Sequence, residues 1–341
     1  MGTNLKELLV AKETSIEYFK NKKLVVDSFN VLYQFLSTIR QRDGTPLKDS
    51  KGRITSHLTG LFSRTTRLMK EGLNLAFVFD GEPPELKQKE RERRFAVKEE
   101  AKKAYEIAAR KKDIEAMKKY AARTSRLTRE MVDESKELIK ALGLPVIQAP
   151  SEGEAQVAYI VNQGDAFAGI SEDYDSLLYG IPRLVKNLTI SGRKKVGATY
   201  ITVKPKIISL SENLNNLGID QEQLIILAIL VGTDYNTGGV KGIGPKTALK
   251  LVKEYKHDFE ELFKKVEWKK TFDFSWEEIY YLIKKMPVNK NYSLEFKKIN
   301  KEKILKLLVE EHDFSEERIN NALQPLLKEQ ESKKQRSLQD F

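Results

Sequence analysis

Four short apolar runs, separated by helix-like stretches, constrain the fold of this chain more than any other feature. They are KLVVDSF (residues 23–29), LNLAFVFDG (73–81), LPVIQAPS (144–151) and AFAGISED (166–173). Continuous hydrophobicity over such lengths is typical of strands buried on both faces. Strands that alternate with helical crossovers form a mostly parallel sheet covered by helices. The pattern therefore predicts an α/β fold.

Acidic residues stand at the end of each run or shortly after it. They are Asp27, Asp80, Glu152, Glu154, Asp173 and Asp175, and a seventh, Asp234, follows an apolar helix-like run that breaks at Gly232. Asp173 and Asp175 are two residues apart and would face the same way if their strand continued. Because parallel strands present their carboxyl ends at one edge of a sheet, all seven carboxylates are expected to converge on one crevice.

Each acid also has a purely structural explanation. Ser151 and Glu154 fit a capping box at the start of a helix. The aspartates could cap the helix or turn that follows each strand. Independent caps, however, have no reason to fall at the same end of four strands. The repetition favours a shared site.

Composition indicates a chain that binds polyanions. There are 60 Lys and Arg residues against 49 Asp and Glu, giving a net charge of +11 and a pI of about 9.3. This favours nucleic acid as the partner, although a charged fraction of 32% also suits a heat-adapted surface. With no cysteine, disulfides and thiol nucleophiles are excluded. His57, His257 and His312 are not in zinc-ligand spacing, so any chemistry is expected from the carboxylates.

Crowded carboxylates need cations, because like charges in a confined site raise one another's pKa. Oxygen-only ligands select hard divalent ions such as Mg²⁺ or Mn²⁺. Seven acids are more than one ion needs. Two ions about 3.5 to 4 Å apart would hold the attacking and leaving oxygens of a phosphoryl displacement. The residues thus predict two-metal hydrolysis of a phosphodiester.

Four motifs follow one another along the chain: VFDGEPPELK (78–87), QAPSEGEAQVAYI (148–160), SEDYDSLLYG (171–180) and LVGTDYNTGGVKGIGPKTAL (230–249). Together they resemble the motifs of the structure-specific 5′ nucleases, archaeal flap endonucleases in particular. The resemblance runs from MGTNLKELL to QRSLQDF, nearly the whole chain. It implies a PIN-like core and cleavage where a single-stranded 5′ flap leaves duplex DNA, during replication and repair.

The resemblance also implies how the acids divide between two Mg²⁺ ions, for which Mn²⁺ could substitute. One ion would be served mainly by Asp27, Asp80, Glu152 and Glu154. The other would be served by Asp173, Asp175 and Asp234, partly through water.

The segment from Pro84 to Arg129 is rich in Lys, Arg, Glu and Ala, a composition typical of solvated helices. Lys87 and Arg94 are seven residues apart and would lie on one face of a helix. A mobile charged insertion is one interpretation. The family resemblance implies instead a helical arch through which the flap passes, with Lys87 and Arg94 stabilising charge at the scissile phosphate.

Two more elements are expected to bind DNA. Tyr33 matches the family tyrosine that stacks on a base beside the scissile phosphate, although an aromatic residue there could equally be core. Gly242 and Gly244 precede a helix that carries Lys246, which favours a helix-hairpin-helix whose backbone contacts duplex phosphates over a plain helix-entry turn. The resemblance adds a K⁺ ion at this hairpin. Such contacts predict specificity for junction shape rather than base sequence.

The sequence KEQESKKQRSLQDF near the C-terminus is polar and is expected to be flexible. Gln335, Leu338 and Phe341 fit the pattern Gln-x-x-aliphatic-x-x-aromatic. In the family this pattern binds the sliding clamp PCNA through a short helical turn.

Together these features predict a single nuclease domain over residues 1–330 and a clamp-binding tail over 331–341. The domain is expected to comprise an N-terminal part (1–130, with the arch at 84–129), an internal part (131–257, with the hairpin at 239–250) and a helical part (258–330). No targeting signal or apolar run of about 20 residues is visible. We expect a monomer that acts on flap or nicked duplex DNA in the cytosol, or in the nucleus of a eukaryote, with no membrane partner.

Other functional classes remain open at this point. A non-catalytic DNA junction scaffold should lack at least one acid, and none is missing. A PIN-type ribonuclease would need neither the hairpin nor the tail. A related 5′ exonuclease, Holliday-junction or bubble nuclease would share the acids, but the compact length and single insertion favour the flap enzyme.

Overall fold

The computed structural model describes residues 3–111, 113–121, 124–189, 192–196 and 199–339. The strands are β1 (Lys12–Glu13), β2 (Lys23–Asp27), β3 (Asn74–Phe79), β4 (Val146–Gln148), β5 (Ala168–Ile170), β6 (Arg183–Lys186), β7 (Arg193–Val196), β8 (Thr199–Thr202) and β9 (Lys206–Ser209). The helices are α1 (Ser28–Thr38), α2 (Ser56–Lys70), α3 (Gln88–Arg110), α4 (Ile114–Ala121), α5 (Arg129–Ala141), α6 (Gly153–Asn162), α7 (Leu210–Leu217), α8 (Gln221–Val231), α9 (Pro245–Tyr255), α10 (Phe259–Lys265), α11 (Trp276–Lys284), α12 (Lys301–Leu305) and α13 (Glu316–Gln339).

The central sheet has the strand order β1-β9-β6-β5-β2-β3-β4. β2 pairs in parallel with β3 and β5, β3 with β4, and β5 with β6. β9 runs antiparallel to both β6 and β1. The predicted mostly parallel α/β fold is confirmed, and each of the four predicted apolar runs contains one of the strands β2 to β5.

The side chains of β2 pack into two cores on opposite faces of the sheet. Val25 packs into the core that includes Val157 of α6 and Leu227 of α8. Leu24 and Val26 pack into the core with residues of α1, α2 and α5. Since full burial of such a side chain stabilises the fold by about 1.5 to 3 kcal/mol, the central strands are held firmly. Their carboxyl ends therefore provide a rigid edge for the acids.

Helix α8 delivers the last acid to this edge. It begins at a capping box formed by Asp220 and Gln223, and its residues 224–230 are all at most 3% exposed. It ends before Gly232, whose φ of +112° and close approach to Gly239 leave no room for a side chain. Asp234 follows this break, as the sequence predicts.

The described ranges contain no single helix that is long and apolar enough to cross a membrane. Helices α7 and α8 together are long and apolar enough, but they are bent by 77° relative to each other.

The segment predicted as solvated helices is helical, with a 3₁₀ turn at Glu85–Lys87 followed by α3 and α4, which pack against each other. Near the C-terminus, α13 continues through Gln339. The backbone around Gln335 and Leu338 is thus helical, whereas the sequence suggests a flexible segment. The side chains of both residues, and the whole of Phe341, lie outside the described residues.

Two histidines that are distant in sequence meet in the fold. His57 Nε2 lies 3.1 Å from Glu134 Oε2, and His312 Nε2 lies 3.1 Å from Glu134 Oε1. His312 Nδ1 lies 3.1 Å from Asp49 Oδ2. This network joins α2, α5, the loop before α2 and the segment before α13. Spacing in the sequence gives no sign of it.

Candidate active site

One cavity of about 660 Å³ lies at the carboxyl ends of the parallel strands. It is lined by all seven predicted acids, Asp27, Asp80, Glu152, Glu154, Asp173, Asp175 and Asp234, together with Lys87, Arg94 and Tyr33. The sheet topology explains this convergence, because β2, β3, β4 and β5 are parallel neighbours and release their chains at the same edge.

Asp27 and Asp80 cap helices and line the cavity at the same time. Asp27 is the N-cap of α1, accepting a hydrogen bond from the Asn30 amide at 3.3 Å. Asp80 Oδ1 accepts from the Gly153 amide, at the start of α6, at 2.9 Å. A Cβ on Gly153 would approach that oxygen to 2.3 Å, so this position needs glycine. The capping interpretation is correct for Asp27, and it does not exclude a shared site.

The capping box expected at Ser151 and Glu154 is not formed. The N-cap of α6 is Glu152, whose side chain makes no capping hydrogen bond. The Ser151 hydroxyl instead donates to the Glu82 carbonyl at 2.8 Å. Glu152 and Glu154 are therefore left to face the cavity.

Asp173 and Asp175 line the cavity, but their backbone conformation differs from the extended one expected. β5 ends at Ile170, and Asp175 begins a 3₁₀ turn, so the two acids are not on an extended strand. Asp173 Oδ2 accepts from the Asn30 side-chain amide at 2.9 Å. Asp175 Oδ1 accepts from the Thr3 backbone amide at 2.6 Å. These bonds place both carboxylates.

Two cations from the base of the segment 84–129 enter the cavity. Lys87 Nζ lies 2.6 Å from Glu152 Oε2 and 3.4 Å from Asp234 Oδ2. The Arg94 guanidinium lies 2.5 Å from Asp234 Oδ1. The sequence places these two cations on one helical face. In the structure Lys87 ends the 3₁₀ turn and Arg94 lies in the second turn of α3, and both reach Asp234.

Burial and mutual repulsion raise the pKa of four of the acids. Burial, with repulsion from Asp27 and Glu152, raises the pKa of Asp80 to about 8. Burial is also the main cause that raises the pKa of Asp27 and of Asp175 to about 6. Glu154 is shifted the same way, since burial and three neighbouring aspartates raise its pKa well above the usual value. The cavity holds more negative charge than its own cations neutralise.

The donor set fits hard divalent cations, since every candidate ligand is a carboxylate oxygen. Within the described ranges, no three acidic or imidazole side chains are arranged as a ready ion site. Lys87 and Arg94 explain this in part, because they engage Glu152 and Asp234. Bound ions would have to displace those contacts.

Comparisons with known proteins agree with this geometry. Residues 3–101 match the XPG N-terminal domain and residues 143–234 match the XPG I-region. Flap endonuclease 1 of Staphylothermus marinus is 52% identical, over 96% of this chain and 95% of that protein. Flap endonuclease 1 of Thermofilum pendens is 50% identical, over 100% of this chain and 99% of that protein. The chain belongs to the flap endonuclease 1 family.

A solved flap endonuclease-1 structure from Methanococcus jannaschii extends the agreement to the fold. It superimposes with a TM-score of 0.76 at 42% identity, covering 96% of this chain and 98% of that one. In this member of the flap endonuclease 1 family, all seven acids that the sequence predicted line one cavity.

Of the other residues predicted in this member of the flap endonuclease 1 family, Tyr33 lines the cavity and the hairpin residues do not. Tyr33 is 38% exposed and lines the cavity, with Lys98 Nζ 4.8 Å from its ring centre, so the core interpretation of Tyr33 is wrong. Gly242 and Gly244 lie exposed before α9, and Lys246 is exposed in its first turn. This hairpin does not line the acid cavity.

Sequence reasoning missed three residues that organise the site. Asn30 bonds both to Asp173 and to the Glu172 amide, and its position three residues after Asp27 is a weak signal for a polar turn. Thr3 contributes a backbone amide, which no side-chain pattern reveals. Glu90 is 4% exposed beneath Arg94, but a single acid inside the charged run QKERERR looks like any other solvated residue.

Proposed function

We propose that this protein is a structure-specific 5′-flap endonuclease, with accompanying 5′-3′ exonuclease activity, that acts in DNA replication and repair. The observation that carries the proposal is the single cavity lined by seven acids, with Lys87 and Arg94 at its wall, in a chain 52% identical to a flap endonuclease 1. The substrate is DNA in which a single-stranded 5′ flap leaves a duplex, or a nicked duplex.

The seven carboxylates would hold two Mg²⁺ ions, for which Mn²⁺ could substitute. Asp27, Asp80, Glu152 and Glu154 would serve mainly one ion, and Asp173, Asp175 and Asp234 the other. When bound, the ions supply charge neutralisation and activation of water for in-line attack on a phosphodiester. The raised pKa values of Asp27, Asp80 and Asp175 support this assignment, because they mark carboxylates that lack compensating charge.

Lys87 and Arg94 would turn from the acids to the substrate. If bound ions neutralised Glu152 and Asp234, the two cations, which lie 2.5 to 3.4 Å from these carboxylates, would be free to donate to a phosphate in the same cavity. There they would stabilise the negative charge that develops during hydrolysis. Their position at the base of α3 suits a segment 84–129 that acts as the arch.

Three further elements would bind DNA or a partner. Tyr33 offers an exposed ring for stacking on a base. Gly242, Gly244 and Lys246 offer exposed backbone and charge to duplex phosphates, with K⁺ between hairpin and duplex. Gln335, Leu338 and Phe341 would bind the sliding clamp PCNA, with the nuclease itself a monomer.

Single-turnover cleavage tests the proposal directly. A labelled 5′-flap duplex, a matched single strand and a blunt duplex are each incubated with excess protein, in Mg²⁺ and in EDTA. We expect Mg²⁺-dependent cutting at the flap junction and little on the other two substrates. A flap that is bound but stays whole in both Mg²⁺ and Mn²⁺ would refute the nuclease and favour the scaffold.

A further inference from the structure

Glu90 is a buried acid whose place in the site is not explained by the seven-carboxylate cage. It occupies the third position of α3, its side chain is 3% exposed, and it does not line the acid cavity. An ionised carboxylate is buried only when several donors satisfy it. The donors around Glu90 therefore indicate what it does.

Four hydrogen bonds meet on this carboxylate. Arg93 donates two, from Nε at 2.7 Å and from its terminal nitrogen at 2.8 Å. Arg94 Nε donates to Oε1 at 2.7 Å, and the Thr237 hydroxyl donates to Oε2 at 2.7 Å. Burial alone would raise the pKa of Glu90, but these bonds lower it to about 2. The group is a fixed anion.

Arg94 and Thr237 donate to different oxygens of Glu90 and belong to different segments of the chain. Arg94 uses Nε for Glu90 and a terminal nitrogen for Asp234. Thr237 lies three residues after Asp234, on the loop that follows α8. Glu90 thus connects the first turns of α3 to the loop that carries Asp234, independently of the direct Arg94–Asp234 ion pair.

We propose that Glu90 is a positioning residue: it keeps Arg94 aimed into the cavity and fixes the base of α3 to the loop 232–239. The inference rests on the proposed function, in which Asp234 binds an ion and Arg94 turns to the phosphate. The Arg94–Asp234 contact then opens, while the bond from Glu90 to Nε persists and leaves the terminal nitrogens free to donate. Fixing a guanidinium in this way reduces the ordering that the reaction requires.

A double-mutant cycle tests the role of Glu90 through Arg94. Glu90→Ala should slow single-turnover flap cleavage by about 10- to 100-fold, while flap affinity measured in Ca²⁺ changes little. The double variant with Arg94→Ala should be no slower than Arg94→Ala alone, because both changes remove one function. Glu92→Ala is the matched control, since Glu92 is an exposed acid on the same helix. It should cleave like the wild type.

Thr237→Val and amide exchange test the docking of α3 without any metal. Either Thr237→Val or Glu90→Ala should accelerate hydrogen exchange in the first two turns of α3 in EDTA, and Thr237→Val should slow cleavage in the same direction as Glu90→Ala but less. Thr237→Val removes one hydroxyl and keeps the proposal testable if Glu90→Ala fails to fold.

Three results would overturn the inference. They are undiminished cleavage by a folded Glu90→Ala, an effect of Glu90→Ala that adds fully to that of Arg94→Ala, and unchanged exchange in α3. Wild-type cleavage by Arg94→Ala would instead refute the proposed role of Arg94, and the exchange experiment would still decide whether Glu90 docks α3.

Discussion

Lys87 is placed to affect the chemical step of cleavage more than the binding of DNA. Its side chain is 16% exposed, and its ammonium group lies among carboxylates rather than on an open surface. Although burial alone would lower its pKa, Glu152 and Asp234 raise it, so Lys87 stays charged throughout the accessible pH range. A cation so placed contributes little to the initial attraction of DNA.

Lys87→Ala should therefore slow the chemical step much more than it weakens binding. We expect a loss of about 10²- to 10³-fold in the single-turnover rate, as for removal of a preorganised donor, with flap affinity within about threefold. Rapid-quench cleavage and fluorescence anisotropy measure the two quantities. Lys103→Ala, an exposed change on α3, is the control and should leave the chemical step unchanged. Equal losses in both quantities would contradict the role.

Asp175 allows a nearly isosteric test of the carboxylate cage. In Asp175→Asn the amide oxygen can still accept the hydrogen bond from the Thr3 backbone at 2.6 Å, so the local fold should persist. The anionic ligand is lost, and cleavage in Mg²⁺ should fall by at least about 100-fold. Flap binding in EDTA should persist. Asp133→Asn, an exposed acid on α5, is the matched control, and unimpaired cleavage by Asp175→Asn would remove it from the site.

At the scale of elements, the hairpin before α9 offers two glycines with different constraints. Gly242 has φ of +84°, a conformation that costs other residues about 1 to 2 kcal/mol. Gly244 is the N-cap of α9 with φ of −89°, and an added Cβ would meet nothing within 4 Å. Only Gly242 is therefore required by the fold itself.

Gly244→Ala should consequently leave thermal stability nearly unchanged and weaken duplex binding. The methyl group would stand where a phosphate approaches the helix amides, and loss of one hydrogen bond to a charged group corresponds to about tenfold in affinity. Gly242→Ala, by comparison, should lower the melting temperature. Titration of a duplex without a flap, beside thermal unfolding, measures both effects. If Gly244→Ala binds duplex like the wild type, the hairpin does not contact phosphates closely at this residue.

The elements that sequence predicted are those with strong local signals. β2 to β5 lie in continuous apolar runs, and α8 is apolar from Leu224 to its last residue, Val231, before Gly232. β1 and β9 could not be predicted in the same way, because Lys12–Glu13 is exposed and pairs with residues almost 200 positions away. Such pairing is decided by tertiary contacts rather than by local propensity.

The residues of the site also divide into those that the sequence signals and those that only tertiary contacts decide. Six of the acids were predictable because they follow apolar runs whose direction is set by the parallel sheet, and Asp234 because it follows the apolar part of α8. The residues that hold the site in place were not predictable, since Asn30, Thr3 and Glu90 carry no pattern of their own. The ion pairs from Lys87 and Arg94 to Glu152 and Asp234 depend on how α3 is docked, which helical spacing alone does not determine.

At the scale of the whole molecule, one polar network holds together segments that are distant in sequence. The His57–Glu134–His312 network joins the N-terminal helices to the C-terminal segment. Burial would raise the pKa of Glu134, but hydrogen bonds from both histidines lower it. In the cavity, burial instead raises the pKa of Asp27, Asp80 and Asp175. Near neutral pH and without bound metal, stability is therefore expected to depend on pH through these three acids.

A carboxyl whose pKa is higher in the folded chain than in the unfolded chain holds its proton more tightly when folded. Folding then becomes less favourable as pH rises between the two values. That window runs from the ordinary 3.8 to about 6 for Asp27 and Asp175, and to about 8 for Asp80. Divalent ions bound as proposed would reverse the preference, because they would bind the ionised carboxylates and displace the protons.

The melting temperature in EDTA should thus fall by a few degrees between about pH 6 and about pH 8, and Mg²⁺ should raise it more at the higher pH. Thermal unfolding followed by circular dichroism at matched ionic strength measures both. Asp80→Asn is the informative variant, since its amide oxygen can still accept from the Gly153 backbone but has no proton to lose. In this variant the decline in EDTA should flatten. An equal effect of Mg²⁺ at both pH values, or an unchanged slope in Asp80→Asn, would mean that the cavity acids do not control stability.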